Sequence, residues 1–254
     1  MPNSFIWYEL MTSDDTAAEA FYRKVVGWTA QDSGQPGMRY TLLSAGDVPI
    51  AGLMTLPQDA CDAGAKPGWV GYIGVDDVDA YVDRVTKAGG KVHVPATDIA
   101  NIGRFAMVAD PQGTAFCLFK PLSDMPQPAP DPHKPGLVGW HELLAVDGPK
   151  ALDFYAGLFG WTKDQAMDMG AMGIYQMFAA GKEAIGAVMT KPAAVPVSFW
   201  NYYFQVEAIG AAMERLKSAG GTVINGPMQV PGGAWIVQAL DPQGAMFSLV
   251  GPKA

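Results

Sequence analysis

Apolar and polar positions alternate along this chain in a recurring rhythm. Phe5 to Met11 is an apolar run of strand length, closed by Ser13-Asp14, a helix-capping pair. Ala17, Ala20, Phe21 and Val25 then recur at helical spacing, and Gly27 is a natural stop. Tyr40 to Ser44 and Val48 to Met54 read as strands around the turn residues Ala45-Gly46-Asp47. Val70 to Val75 reads as a further strand. Asp76 or Asp77 caps a helix with Val78, Tyr81, Val82 and Val85 on one face, ended by Gly89-Gly90. Lys91 to Val94, Arg104 to Ala109 and Thr114 to Phe119 read as strands. Asp110-Pro111-Gln112-Gly113 carries Asp, Pro and Gly where a tight turn wants them.

The same text appears twice. Trp7-Tyr8-Glu9-Leu10 returns as Trp140-His141-Glu142-Leu143, and Phe21-Tyr22 with Gly27-Trp28-Thr29 returns as Phe154-Tyr155 with Gly160-Trp161-Thr162. Asp110-Pro111-Gln112-Gly113 returns as Asp241-Pro242-Gln243-Gly244. An internal repeat governs the choice of fold. The opening blocks stand 133 residues apart, Tyr40 and Tyr175 stand 135 apart, and Asp110 and Asp241 stand 131 apart. Length changes therefore fall between blocks, as they do in loops. The pattern predicts an α+β chain of four βαβββ units, at roughly 5–57, 68–122, 138–192 and 198–251. Its domains are expected at 1–122 and 136–254, joined by a Pro-rich linker at 123–135. Pro126, Pro128, Pro130, Pro132 and Pro135 make that linker extended and semi-rigid.

Composition narrows the partners. The hydrophobic fraction of 49% supports a sizeable core, and the net charge of −8 argues against a nucleic-acid partner. No stretch reaches transmembrane length and no signal peptide is visible, so no membrane partner is expected. Two cysteines, Cys61 and Cys117, suit a reducing compartment, with cytoplasm the default. Cys117 lies in an apolar strand, where a thiol is inert. No Gly-rich loop between strand and helix suggests nucleotide binding.

The segment from Asp14 through Phe21-Tyr22 to Gly27-Trp28, the Ala88-Gly89-Gly90 stop, and Asp110-Pro111-Gln112-Gly113, each with its second-half partner, resemble the vicinal oxygen chelate superfamily. This group includes glyoxalase I, extradiol dioxygenases and bleomycin-resistance proteins. The resemblance implies two tandem glyoxalase-type domains with cup-shaped mixed sheets. It also implies a small organic ligand or substrate and, where chemistry occurs, lyase-type reactions. Members usually hold a divalent metal with His and Glu ligands. Counting from the shared motifs, the ligand places here hold Trp7 and Trp140, Val70 and Asn201, and Cys117 and Ser248. The last place falls near Ala51-Gly52 and Ile185-Gly186. A catalytic metal needs about three protein ligands. No metal site and no cofactor are therefore expected. A divalent metal is kept as the runner-up, with His141, Glu9 and Glu142 as its best residual donors. Of the other histidines, His133 is in the linker and His93 stands on a strand or its edge.

If Trp7 occupies a ligand place, Glu9 lies on the same strand face, and Trp140 and Glu142 repeat the arrangement. Glu9 and Glu142 are the candidate catalytic residues, since a desolvated carboxylate can serve as a general base. Structural pairing of these carboxylates to Arg23, Arg39 or Arg104 is the competing reading. Candidate ligand-binding residues are Trp7, Tyr40, Trp69, Arg104, Phe105, Trp140, His141, Tyr175, Trp200 and Trp235. Phe105 is matched to Trp235, and Arg104 to Ala234. Core filling is the competing role for the aromatics, and a solvated surface for Arg104. Three functions follow: a glyoxalase-like enzyme, a metal-free protein that sequesters a flat small molecule, and a non-catalytic interaction protein. Monomer and homodimer both remain open.

Overall fold

In the computed structural model, which describes residues 3–35, 37–123 and 134–254, the elements follow the periodicity of the chain. Pro126 to Pro132 and His133 lie outside these residues. The first half runs β1 (Phe5–Thr12), α1 (Asp15–Val25), β2 (Thr29–Asp32), β3 (Tyr40–Ala45), β4 (Val48–Thr55) and a short α2 (Gln58–Asp62). It continues with β5 (Gly68–Gly74), α3 (Val78–Lys87), β6 (Lys91–Ile99), β7 (Gly103–Ala109) and β8 (Ala115–Pro121). The second half repeats the order with β9 (Val138–Ala145), α4 (Gly148–Phe159), β10 (Thr162–Asp168), β11 (Ile174–Ala180) and β12 (Glu183–Thr190). It closes with β13 (Phe199–Gln205), α5 (Ile209–Ser218), β14 (Thr222–Gln229), β15 (Trp235–Leu240) and β16 (Met246–Gly251).

The helix starts are set by side-chain caps. Asp14 accepts from the Ala17 amide, Asp77 from Ala80 and Asp147 from Lys150. Each thereby satisfies one of the open donors of a first turn. In the repeated turn, Asp110 Oδ1 accepts from the Gln112 and Thr114 amides, and Asp241 Oδ1 from Gln243 and Ala245. Two differences from the sequence reading have simple causes. β2 is an edge strand with no buried residue, so it carries no apolar signal. β6 extends to Ile99, beyond the expected Val94. Register shifts after Val92 and Val94 let the strand carry Pro95 without a ladder bond.

Two mixed eight-stranded sheets result, one per sequence half. Their orders are β2-β3-β4-β1-β5-β8-β7-β6 and β10-β11-β12-β9-β13-β16-β15-β14. Neither sheet is closed, and the two orders are the same topology written twice.

The compact units do not coincide with the halves. Among the described residues, one comprises 3–7, 70–123 and 141–201, and the other 8–35, 37–69, 134–140 and 202–254. Each therefore combines modules from both halves. In the first, Tyr155 on α4 donates to Asp110 (3.3 Å), and Trp200 Nε1 donates to the Tyr155 hydroxyl (3.1 Å). Arg84 on α3 donates to the Gly157 carbonyl at the end of α4 (3.1 Å), and Tyr81 stacks on Phe159. In the second unit, Tyr22 on α1 donates to Asp241 (3.0 Å) and Trp69 Nε1 to Tyr22 (2.9 Å). Arg215 on α5 donates to Val25 at the end of α1 (3.0 Å). The most obvious repeated motifs are thus spent on joining modules of opposite halves. Burial, with the Asp241 carboxylate beside it, holds the Tyr22 hydroxyl well above its ordinary range, so it stays a neutral donor.

Candidate ligand site

The two carboxylates stand on the first strand of each half, and both are buried: Glu9 is 7% exposed and Glu142 is 6% exposed. A buried carboxylate needs hydrogen bonds to offset lost hydration. Strand register shows where they come from. Glu9 is opposite Gly52 on β4, which is opposite Leu42 on β3. One step along, Met11 is opposite Met54, which is opposite Tyr40. Strand alternation therefore places Glu9, Met11, Leu42, Gly52, Met54 and Tyr40 on one face. Tyr40 donates its hydroxyl to Glu9 Oε2 at 2.9 Å. Its ring lies across Gly52, where an added Cβ would fall 1.9 Å from the Tyr40 oxygen. No side chain larger than hydrogen fits under the phenol.

In the second half, Glu142 is opposite Ala187 on β12, which is opposite Met177 on β11. Ala187 therefore takes the place of Gly52. The Glu142 carboxylate receives a long hydrogen bond from the Asn201 side-chain amide at 3.5 Å. Asn201 is fully buried, and Val70 is its first-half counterpart.

Other predicted site residues go elsewhere. His141 faces the opposite side of β9 from Glu142. Its ring stacks on Phe5 at 4.3 Å, and its Nδ1 donates to the Ile185 carbonyl at 2.6 Å. Burial pushes its pKa down to about 4, against the opposing pull of that carbonyl, so the ring is neutral at pH 7. Trp69 and Trp200 are core residues bound to Tyr22 and Tyr155, on the face opposite Val70 and Asn201. Arg104 leaves Glu9 alone. It grips Asp79 with Nε and Nη2 at 2.8 and 2.9 Å and Asp98 with Nη1 at 2.9 Å. Arg39 pairs with Asp15 and Glu19, and Arg23 with Glu19.

The match of Phe105 to Trp235 is one residue out of register. Arg104 is opposite Lys120 and Phe105 opposite Phe119, whereas Trp235 is opposite Gly251 and Ile236 opposite Val250. Trp235 is therefore the counterpart of Arg104, and a one-residue slip reverses the face. It carries Lys253 over its ring at 4.5 Å. Phe105 packs near Tyr72, 6.4 Å between rings. Trp7, Trp140 and Tyr175 are half-buried on their strands.

Among the described residues, no three or more His, Cys, Asp or Glu side chains stand together as a metal would require. Surface recesses of about 630 Å³, around Tyr81 and Lys120, and about 270 Å³, around Leu152 and Ile174, include none of the predicted site residues. Sequence reasoning missed Gly52 and Asn201 as site residues. Both had been counted only as lost metal-ligand places.

The family model described as Glyoxalase/Bleomycin resistance protein/Dioxygenase superfamily matches residues 4–118 and 138–249. The chain is 34% identical over 248 residues to CFP32 of Mycobacterium bovis, a protein provisionally named a glyoxylase. That match covers 97% of this chain and 94% of the relative. It is 32% identical over 267 residues to the anthracycline biosynthesis protein DauV of Streptomyces sp. strain C5, covering 98% and 93%. A Mn(II)-bound glyoxalase from Novosphingobium aromaticivorans shares the fold with a TM-score of 0.67 at 16% identity, covering 100% of this chain and 82% of that one. The 2,3-dioxygenase LapB from Pseudomonas sp. KL28 does so with a TM-score of 0.66 at 13% identity, covering 99% and 92%. At such identities these two structures speak for the fold alone.

Proposed function

Because the chain belongs to the glyoxalase/bleomycin resistance protein/dioxygenase superfamily, we propose that it binds a small organic metabolite on the sheet faces carrying Glu9 and Glu142, without a divalent metal. The observation that carries this reading is the pair of buried carboxylates, each on the first strand of its half and each with a hydrogen-bond donor on its own face. Burying a carboxylate is costly unless hydrogen bonds offset the lost hydration. A ligand gains an acceptor in apolar surroundings, which is how small-molecule sites obtain orientation.

The donor set does not fit the metal usual in this superfamily. At the counted ligand places stand two indoles, an isopropyl group, an amide, a thiol and a hydroxyl. His141 is turned away on the opposite strand face. No chemical step is therefore derived through a metal. The relatives support a metabolite as ligand: one is provisionally named a glyoxylase and another serves anthracycline biosynthesis. The second of these favours a flat, hydroxylated, polycyclic compound.

The test is tryptophan-fluorescence titration of the full chain with a panel of flat hydroxylated aromatics and small aldehydes, with elemental analysis of the same protein. Saturable quenching without stoichiometric metal is the expected result. Recovery of the ligand unchanged assigns sequestration, and recovery of a product assigns turnover. Stoichiometric metal, or activity abolished by a chelator, would sink the metal-free reading.

A further inference from the structure

The recess beside α4 has a twin in the first half, and the twin is filled. Gln176 is opposite Val188, which is opposite Leu143, and Thr41 is opposite Leu53, which is opposite Leu10. Leu143 and Leu10 hold the same place in the repeat, so Ile174 is the counterpart of Arg39. Counted from the capping aspartates Asp147 and Asp14, Gly148, Pro149 and Leu152 answer to Asp15, Thr16 and Glu19. In the first half Arg39 ties β3 to α1. Its Nη1 donates to Asp15 at 2.8 Å and to the Thr16 hydroxyl, and its Nη2 donates to Glu19 at 2.9 Å. In the second half the arginine and both acids are replaced. What remains is an open recess of about 270 Å³ with Leu152, Ile174 and Val188 in its lining.

From this difference we propose that the recess is one part of a self-complementary interface, with a second copy of this chain as its occupant and Met172 as the side chain that fills it. The polar groups of the lining are engaged within the chain. Thr190 Oγ1 accepts from the Gly148 amide at 3.1 Å, and the Gln176 side-chain amide donates to the Asp164 and Gln165 carbonyls at 2.9 and 3.2 Å. The charge of Lys163 is matched by Asp153 at 3.4 Å. The recess is therefore suited to a neutral, apolar group.

Such a group stands next to it on the same hairpin. Met172 and Met169, on the connection from β10 to β11, are 53% and 38% exposed, and Ile174 at 52% continues the apolar patch. The second half spans 14 residues from Trp161 to Tyr175 where the first spans 12 from Trp28 to Tyr40, so the added length falls in the segment that carries these methionines. An apolar knob and an apolar hole on one patch satisfy each other across a two-fold axis: Met172 of each copy enters the recess of the other. Methionine suits the task, since its unbranched thioether adapts to irregular gaps. Two copies with a net charge of −8 repel, so a patch whose charge is locally balanced is where they can meet.

The test is the oligomeric state of the full chain, by light scattering and sedimentation equilibrium over roughly 1 to 200 µM, the affinity range of small interfaces. Wild type should form a dimer within that range. Ile174→Arg places the first half's residue at the mouth of the recess, and Met172→Ser removes the knob. Each should raise the dissociation constant of the dimer about tenfold or more. Met38→Ser, on the twin connection, should leave it unchanged. Thermal melts establish that each variant is folded. Hydrogen exchange should show the amides of 169–176 better protected at high chain concentration than at low. A wild type that stays monomeric throughout the range overturns the proposal and leaves the recess to another occupant. A dimer indifferent to both Ile174→Arg and Met172→Ser overturns it as well, because its interface lies elsewhere.

Discussion

The faces built on β1 and on β9 begin from nearly the same words, Trp-Tyr-Glu-Leu and Trp-His-Glu-Leu, and end as different chemical environments. On β1, Glu9 is met by a phenol from β3, two strands away. On β9, Glu142 is met by an amide from the neighbouring strand β13. The acid stays while residues at matched places beside it differ. Two matched positions differ: Gly52 lies under Tyr40 where the second half has Ala187, and Asn201 carries an amide where the first half has Val70. The scaffold shows the contrary pattern. Trp69–Tyr22–Asp241 and Trp200–Tyr155–Asp110 are the same chain of hydrogen bonds made twice. Duplication here preserved what joins modules and varied what surrounds the carboxylate.

The largest expected effect separates Tyr8 from His141, which occupy the same place on β1 and β9. His141 titrates near pH 4 when folded and near its ordinary 6.5 when unfolded. Between these values the unfolded chain binds a proton that the folded chain refuses, so stability rises with pH through that window and falls on acidification. At about 1.4 kcal/mol per pKa unit, the His141 contribution lost between pH 7 and pH 4 is about 3 kcal/mol. Urea unfolding of wild type and of His141→Tyr at both pH values measures it. The variant should show a smaller acid loss by roughly that amount. An identical slope in both proteins would mean the ring is not buried and neutral.

Next come Tyr22→Phe and Tyr155→Phe. Each removes a hydroxyl that donates to a buried aspartate and accepts from a tryptophan, which should cost about 2 to 3 kcal/mol. The point of the pair is equality. If the scaffold is conserved in function as in form, the two losses agree within about 1 kcal/mol in chemical denaturation. A difference much beyond that would break the contrast between an even scaffold and uneven sites.

Smaller again is the exchange of Gly52→Ala with Ala187→Gly. The first forces Tyr40 off Glu9 and should cost about 1 to 3 kcal/mol of overpacking. The second meets no such clash and should cost under about 1 kcal/mol, the ordinary penalty of glycine in a strand. Equal costs in thermal melts would show that Tyr40 is not held over position 52.

The periodic elements and the turns were readable because their signals are local. Asp14 and Asp77 announce helices from three residues away, and the repeated Asp-Pro-Gln-Gly turn fixes its own geometry. The site was readable only in part. Glu9 and Glu142 stood out as acids in apolar strands, yet the contact from Tyr40 to Glu9 depends on the register of three strands. The expectations of Trp69 and Trp200 as ligand-binding residues and of Val70 and Asn201 as ligand places put sequence neighbours on one strand face. Strand alternation forbids both, and the conflict was visible in the sequence. Phe105 was matched to Trp235 by side-chain type, where the ladder matches Arg104 to Trp235. Register is a long-range property, and a one-residue error in it inverts every conclusion about faces.

Arg104 and Trp235 supply the smallest effect and the cleanest control, because they are equivalent positions outside the carboxylate faces. Arg104 is shared between Asp79 and Asp98, which are both well exposed. Those carboxylates hold its guanidinium above its ordinary pKa, and their mutual arrangement is open to water and salt. Trp235 instead lies under Lys253. Arg104→Ala should leave ligand affinity in the tryptophan-fluorescence titration at the wild-type value, and its melting temperature should differ from wild type only at low ionic strength. A ligand whose affinity falls in Arg104→Ala, at ionic strength high enough to screen the surface, would relocate binding to the outer side of β7. It would make the asymmetry of Glu9 and Glu142 a matter of packing alone.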